Sequence, residues 1–363
     1  MSLQPVLLHP QVAARRVHLR RGINLSHWFS QVYVPAGYTP QHFDAYLTGE
    51  DLALIRSMGF DHVRFPIAPE PILRAAGGGM LPPGYLARLD RVVQTILDQG
   101  LRVIIDIHPE QAFKKQLARE DEPVERFLHF WEHFAAHFSK FDPERTFFEV
   151  LNEPEIHDPK RWNQIQNRAV VAIRGAAPRH TIIIGGDEWS QLTMLPLVEP
   201  PTDRNILVNF HLYDPIAFTH QGAKWVHPWN LACKGMTYPP DLAFIGEYLK
   251  TVTDTDAIRE LNTYGTAGWN AARYEQLATD AAAWGRLHGL ALICNEFGVY
   301  KVYAPRESRL AWVRDVRSAL EKTQIGWTMW DYAGDFEVVH RQDGVRTPDT
   351  ALLLALGLTS ETD

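Results

Sequence analysis

Short apolar runs that end in one polar residue and are halted by proline or glycine recur along this chain, with segments of helical spacing between them. Short apolar runs of this kind read as buried strands. Phe147-Phe148-Glu149-Val150-Leu151-Asn152-Glu153-Pro154 is the clearest case. It delivers Asn152 and Glu153 to the carboxyl end of a strand, and Pro154, which cannot donate a ladder hydrogen bond, stops it. A residue before proline is pushed toward extended geometry, so Glu153 is expected extended at the mouth of a sheet. Leu292-Ile293-Cys294-Asn295-Glu296-Phe297-Gly298 repeats the pattern with a second carboxylate, Glu296. A single glutamate in this setting is ordinarily a solvated strand end. Two of them, far apart in sequence, argue for a closed sheet that brings them together.

The rest of the chain fits that closure. Strands are expected over 17–25, 60–67, 101–109, 147–152, 181–186, 206–213, 292–296 and 325–332. Helices are expected over 49–58, 85–99, 123–140, 162–176, 271–287, 305–321 and 350–356. Eight strands alternating with helices give a (β/α)8 barrel, taken as one domain over 1–363, whose working face lies at the carboxyl ends of its strands. Residues 1–16 read as an irregular wrapper. The stretch from Asp214 to Trp269 after the sixth strand reads as a long irregular insertion carrying Trp225, Trp229, Tyr238 and Trp269, and loops of that length usually serve function.

Bulk composition narrows the classes. Of 363 residues, 45% are apolar and 22% charged, enough for a large core and unlike a disordered chain. A net charge of -7 offers no basic footprint for nucleic acid. No run reaches the roughly 18 apolar residues needed to cross a bilayer, and no charged-then-apolar leader opens the chain, although Met1-Ser2-Leu3 can stand in place of a removed one. Cys233 and Cys294 permit at most one disulfide; Cys294, inside a strand, is expected to be a buried free thiol.

The polar residues at or near the strand ends are Arg64, His108, Asn152, Glu153, His211, Tyr213, Glu296 and Trp330. Asn209, His211 and Tyr213 fall on one face of their strand. An arginine in the apolar run 60–67 needs buried acceptors, because an unpaired desolvated guanidinium is costly. The set suits cleavage of a glycosidic bond: one carboxylic acid to protonate the leaving oxygen, one carboxylate to attack the anomeric carbon, and donors that orient both. His108 and His211 are read as orienting groups and not metal ligands, and no metal or cofactor is expected. There is no Gly-x-Ser-x-Gly elbow, and the Gly77-Gly78-Gly79 run follows no strand, so it makes no phosphate loop. Trp28, just past the first strand, reads either as a core plug or as a face on which a flat ligand stacks.

These residues resemble glycoside hydrolase family five, in the clan of barrel glycosidases with an acid/base Glu after strand four and a nucleophile Glu after strand seven. The resemblance runs from Arg21-Gly22-Ile23-Asn24 to Trp330. Asn152-Glu153-Pro154 matches the family's Asn-Glu-Pro signature, and His211-Leu212-Tyr213 its His-x-Tyr, while Arg64, His108, Glu296 and Trp330 fill its remaining positions. It implies Glu153 as acid/base and Glu296 as nucleophile. Burial and the charge of Glu296 would help Glu153 hold its proton, while Arg64 and Tyr213 would keep Glu296 ionised. Asn152 would meet the sugar 2-hydroxyl, His211 would orient Glu153, His108 would bind substrate or hold the network, and Trp330 would be a stacking platform. Trp28 and one or more of Trp225, Trp229 and Trp269 would extend that platform.

The activity so implied is that of a retaining endo-acting enzyme on β-1,4-glucan, working as a monomer on a β-linked polysaccharide or oligosaccharide, with no nucleic acid or membrane partner. The family's habit is to work outside the cytoplasm. Mannanases, xyloglucanases and exo-acting β-glucosidases of the same family share these residues; Phe218-Thr219-His220-Gln221-Gly222-Ala223 resembles a stretch of bacterial cellulase-like members. The competing class is a barrel that binds polysaccharide without cutting it, and such proteins typically lose one carboxylate.

Overall fold

The computed structural model describes residues 6–75 and 83–358; the Gly77–Gly79 run and Met1-Ser2-Leu3 lie outside them. Eight parallel strands close into a barrel in chain order. They are β1 (Arg21–Asn24), β2 (His62–Ile67), β3 (Arg102–Ile107), β4 (Thr146–Glu149), β5 (Ile182–Gly185), β6 (Ile206–Leu212), β7 (Ala291–Phe297) and β8 (Gly326–Met329). Helices lie between them, and the expected (β/α)8 architecture is the observed one. Among the described residues no helix is long and apolar enough to cross a membrane.

Strand periodicity sets the layers inside the barrel. Alternate side chains point inward, and near the amino ends these are Ile104, Phe147, Ile183, Leu207, Ala291 and Ile293, a small apolar cluster closed by Val12 and Leu19. The wrapper expected over 1–16 is therefore partly a plug: the helix Pro10–Arg15 buries Val12, and Arg15 donates to the Arg179 carbonyl and to the Thr181 hydroxyl. Two residues further along the strands the same inward parity brings Asn24, Arg64, Asp106, Glu149, Asn209 and Asn295, all buried. An apolar floor thus carries a polar layer, and the mouth opens above it.

Several boundaries differ from expectation. The first strand is shorter, because residues 16–18 form a helical turn. The insertion after β6 is not irregular: it contains the helices Ile216–Thr219, Leu242–Leu249 and Thr255–Thr266 and the turn Pro228–Ala232. Asp241 and Asp254 cap the two longer helices, Asp241 accepting from the Ala243 and Phe244 N–H groups and Asp254 from the Ala257 N–H. An antiparallel hairpin, β9 (Val339–Gln342) and β10 (Val345–Pro348), follows β8 and was not foreseen, although Asp343-Gly344 between the strands is a strong turn pair. Both cysteines are free and buried, so no disulfide joins them.

Candidate active site

Arg64 organises the polar layer. Its Nε donates to Glu149 Oε2 at 2.8 Å, and Nη1 to Glu296 Oε1 at 2.7 Å and Asn24 Oδ1 at 3.1 Å. Nη2 reaches Asn152 Oδ1 at 2.8 Å, Asp106 Oδ2 at 2.9 Å and Glu149 Oε1 at 3.1 Å. Burial works against the guanidinium charge, but Asp106, Glu149 and Glu296 outweigh it and hold the group firmly protonated. The buried acceptors that an arginine in an apolar strand requires are therefore present.

From Arg64 the contacts fix Asn152. Its Oδ1 accepts from the guanidinium, so its amide nitrogen faces His108 Nε2 at 3.1 Å. His108 then accepts at Nε2 and donates from Nδ1 to Asp106 Oδ2 at 2.9 Å. Burial drives the His108 pKa down to about 3, which keeps the ring neutral, as this relay requires. The second amide N–H of Asn152 remains for a ligand.

Glu296 reaches the mouth through a fault in strand pairing. Ile293 and Asn295 have inward parity, and by simple alternation Glu296 would point out. The register slips, however, so that Phe210 pairs with Cys294 and His211 with Glu296, leaving Asn295 as the extra residue of a bulge. Asn295 and Glu296 both serve the interior as a result. The Asn295 N–H donates to Asn209 Oδ1 at 3.0 Å and its amide to Glu149 Oε2 at 2.7 Å. Tyr213 donates to Glu296 Oε2 at 2.9 Å; burial and then the Glu296 charge raise the phenol well above its ordinary range, so it stays a donor.

Glu153 lies past the end of β4 at the mouth, but not in extended form: its φ is +46°, a left-handed conformation uncommon outside glycine. The bias of the following proline is overridden by the tertiary setting, in which the Asn152 N–H donates to the Ile107 carbonyl and the Pro154 carbonyl accepts from Trp189. His211 Nδ1 lies 3.0 Å from Glu153 Oε1 and 3.6 Å from Glu296 Oε2. Burial lowers the His211 pKa to about 4, so the ring is neutral, and two carboxylates facing Nδ1 fix the proton there. One donor atom each from Glu153, His211 and Glu296 falls within a common 4.8 Å. That spacing would also admit a small cation, but these groups are already engaged with Arg64, Tyr213 and each other.

The tryptophans divide. Trp330 lies beside His108, ring centroids 5.8 Å apart and 21° from parallel, at the rim of the site. Trp28 does not join it: the side chain is buried against Phe29 and Phe65 and its indole N–H donates to the Phe43 carbonyl at 2.8 Å. The expectation that it binds substrate is corrected in favour of the core plug. Trp229 and Trp269 pack against the core, whereas Trp225 is 58% exposed and meets Tyr300 edge-on at 5.0 Å. An aromatic path leads from Tyr213 through His220 to Trp225.

Asp106, Glu149, Asn24 and Asn295 were not singled out from the sequence. The signal was available: each is a polar residue at inward parity in an otherwise apolar strand, the same anomaly that marked Arg64.

Comparison with known proteins decides the family. Residues 31–335 match the model of cellulase (glycosyl hydrolase family 5). The chain belongs to glycoside hydrolase family 5. This family 5 enzyme is 30% identical over 330 residues to endoglucanase C of Acetivibrio thermocellus, covering 89% of its own length and 94% of the relative's. It is 29% identical over 315 residues to cellodextrinase A of Ruminococcus flavefaciens, covering 84% and 83%. Among solved structures, Cel5A of Thermotoga maritima in complex with cellobiose aligns with a TM-score of 0.75 at 26% identity over 94% of this chain and 98% of that one. The same Cel5A in complex with mannotriose aligns with a TM-score of 0.75 over 96% and 100%. The family 5 enzyme is thus a cellulase-like glycoside hydrolase on a (β/α)8 barrel.

Proposed function

We propose that the enzyme is a retaining endo-β-1,4-glucanase in which Glu153 is the acid/base and Glu296 the nucleophile. The observation that carries this reading is the approach of Glu153, His211 and Glu296 donor atoms within 4.8 Å. Retaining glycosidases hold their two carboxyl groups about 5–5.5 Å apart, whereas inverting ones need about 6.5–9.5 Å to admit a water. In the first step a Glu296 oxygen attacks the anomeric carbon while Glu153 gives its proton to the departing glycosidic oxygen. In the second, Glu153 takes a proton from water, the water oxygen attacks the same carbon, and the ester to Glu296 breaks.

The surrounding groups suit these roles. Arg64 and Tyr213 each donate to one oxygen of Glu296, which fixes the orientation of its carboxylate. His211 engages Glu153 Oε1, leaving Oε2 to carry the proton. The free amide N–H of Asn152 would meet the sugar 2-hydroxyl, a contact that strengthens as positive charge builds on the ring. Trp330 would stack on the sugar at the reacting centre, and exposed Trp225 would extend the platform.

Endo action on β-1,4-glucan is supported by the relatives named endoglucanase and by the cellobiose complex. The mannotriose complex favours a second reading, in which β-mannan is also cut. Reducing-sugar release from carboxymethyl cellulose, glucomannan and laminarin ranks the substrates, and NMR of the first-formed anomer decides the stereochemistry. An α-anomer formed first from a β-linked substrate would overturn the retaining assignment. Glu296→Gln should abolish turnover while keeping the fold and oligosaccharide binding, because the amide cannot attack; wild-type turnover would reject Glu296 as nucleophile.

A further inference from the structure

The helix Asp121–Phe138 turns one face to the barrel, burying Phe127, Phe130, Trp131 and Phe134. Its outward face carries His129, Glu132 and His133, three and four positions apart and hence on one stripe. One donor atom from each lies within 4.8 Å of the other two, and the imidazole centroids are 4.2 Å apart. We propose that His129, Glu132 and His133 form a divalent-metal site for a borderline-soft cation of the Zn2+, Ni2+ or Cu2+ class.

The second observation is the way the ligands are held. His133 Nδ1 sits 2.9 Å from the His129 carbonyl oxygen, which only accepts, so the proton is on Nδ1 and Nε2 keeps its lone pair for a metal. Donation of the second ring nitrogen to a backbone carbonyl is the support that metal-binding histidines ordinarily have. His129 Nδ1 lies 3.4 Å from Glu132 Oε2, which leaves the other carboxylate oxygen unspent. Two imidazoles and a carboxylate suit borderline-soft cations better than Ca2+ or Mg2+, which want oxygen ligands.

The neighbourhood does not oppose a cation. The adjoining groove, about 430 Å3, is lined by Glu125, Leu128, His129, Glu132, Arg168, Val171 and Ala172. Its one arginine, Arg168, is taken up by both oxygens of Glu125 at 2.7 and 2.8 Å. Three protein ligands leave coordination positions to water, and the groove has room for them. Bound metal would clip one turn of an already folded helix, and a ligand that binds only the folded chain raises its unfolding temperature.

The test uses the full chain free of any affinity tag and treated with chelator. Zn2+ is titrated by calorimetry, Co2+ is followed by its visible absorption, and thermal unfolding is recorded with and without ZnCl2. The expected result is a saturable one-to-one Zn2+ isotherm and a Zn2+-dependent rise in Tm. In His129→Asn/His133→Asn both are lost, while the metal-free Tm and the glycosidase activity stay at wild-type values. Single variants should weaken binding about tenfold or more, equivalent to about 1.4 kcal/mol or more. Identical isotherms in wild type and double variant would overturn the proposal, since any Zn2+ bound then resides elsewhere, as at Glu153, His211 and Glu296. Absence of any Zn2+-induced rise in wild-type Tm would overturn it as well.

Discussion

Glu149 is the most informative residue to perturb, because it holds Arg64 without facing the cleft as Glu153 does. Its carboxylate accepts four hydrogen bonds: from Arg64 Nε (2.8 Å) and Asn295 (2.7 Å) on Oε2, and from Arg64 Nη2 (3.1 Å) and Asn209 (3.2 Å) on Oε1. Glu149→Gln keeps the shape and replaces one oxygen with NH2. In either flip that NH2 confronts one guanidinium N–H and one asparagine amide, so one charge-assisted and one neutral hydrogen bond become donor against donor. At about 1.5–3 kcal/mol for the first and about 1 for the second, with the burial of the unpaired donors added, the fold should lose about 3–5 kcal/mol. Arg64, which loses one of its two contacts with residue 149 and meets a donor there instead, would hold Nη1 on Glu296 and Nη2 on Asn152 less firmly. A fall in kcat of about 10–100-fold, or about 1.4–2.8 kcal/mol, is expected with KM changed little. The assay is steady-state hydrolysis of an aryl β-cellobioside well below the variant's Tm, paired with denaturant unfolding. A variant that loses stability but keeps wild-type kcat would show that Glu149 only braces the barrel and would refute the positioning argument.

Glu153→Ala should slow substrates with poor leaving groups most, and azide should restore turnover of activated aryl glycosides; a uniform loss without rescue would count against the acid/base role. Trp28→Ala should destabilise the fold by about 3–5 kcal/mol through a core cavity and leave KM for cello-oligosaccharides near wild type, whereas a large KM rise at intact stability would return Trp28 to the cleft. The buried His180 ring is held neutral, its pKa lowered by burial to about 4. The unfolded chain takes up that proton near pH 6.5 and the folded chain does not, so this stability is present above pH ~6.5 and lost as pH falls toward 4. From pH 6.5 to 5 the loss is about 1.6 kcal/mol, since the slope reaches its full value of about 1.36 kcal/mol per pH unit only below the unfolded pKa. His180→Leu should remove that part of the acid slope in urea titrations at the two pH values, and an unchanged slope would contradict the assignment.

The alternation of eight short apolar runs with helical segments, together with two strand-end glutamates far apart in sequence that a closed sheet would bring together, was enough to point to a (β/α)8 barrel. Arg64, His108, Asn152, Glu153, His211, Tyr213, Glu296 and Trp330 were likewise legible, as polar residues in or at the ends of strands that otherwise have no use for them. Less visible were the groups that hold these in place. Asp106 and Glu149 look like incidental carboxylates in a linear reading, and their role follows only from the meeting of β2, β3 and β4 around one guanidinium.

The tertiary structure alone decided three further matters. The bulge at Asn295 turns Glu296 inward, and it depends on the pairing of β6 with β7, which no single strand encodes. Glu153 adopts a left-handed φ against the local preference set by Pro154, since contacts distant in sequence outweigh a nearest-neighbour bias. Trp28 is a plug and not a platform because Phe29, Phe43 and Phe65 surround it in space. Periodicity along a chain reports which face a side chain occupies; what stands opposite that face is set by closure of the barrel.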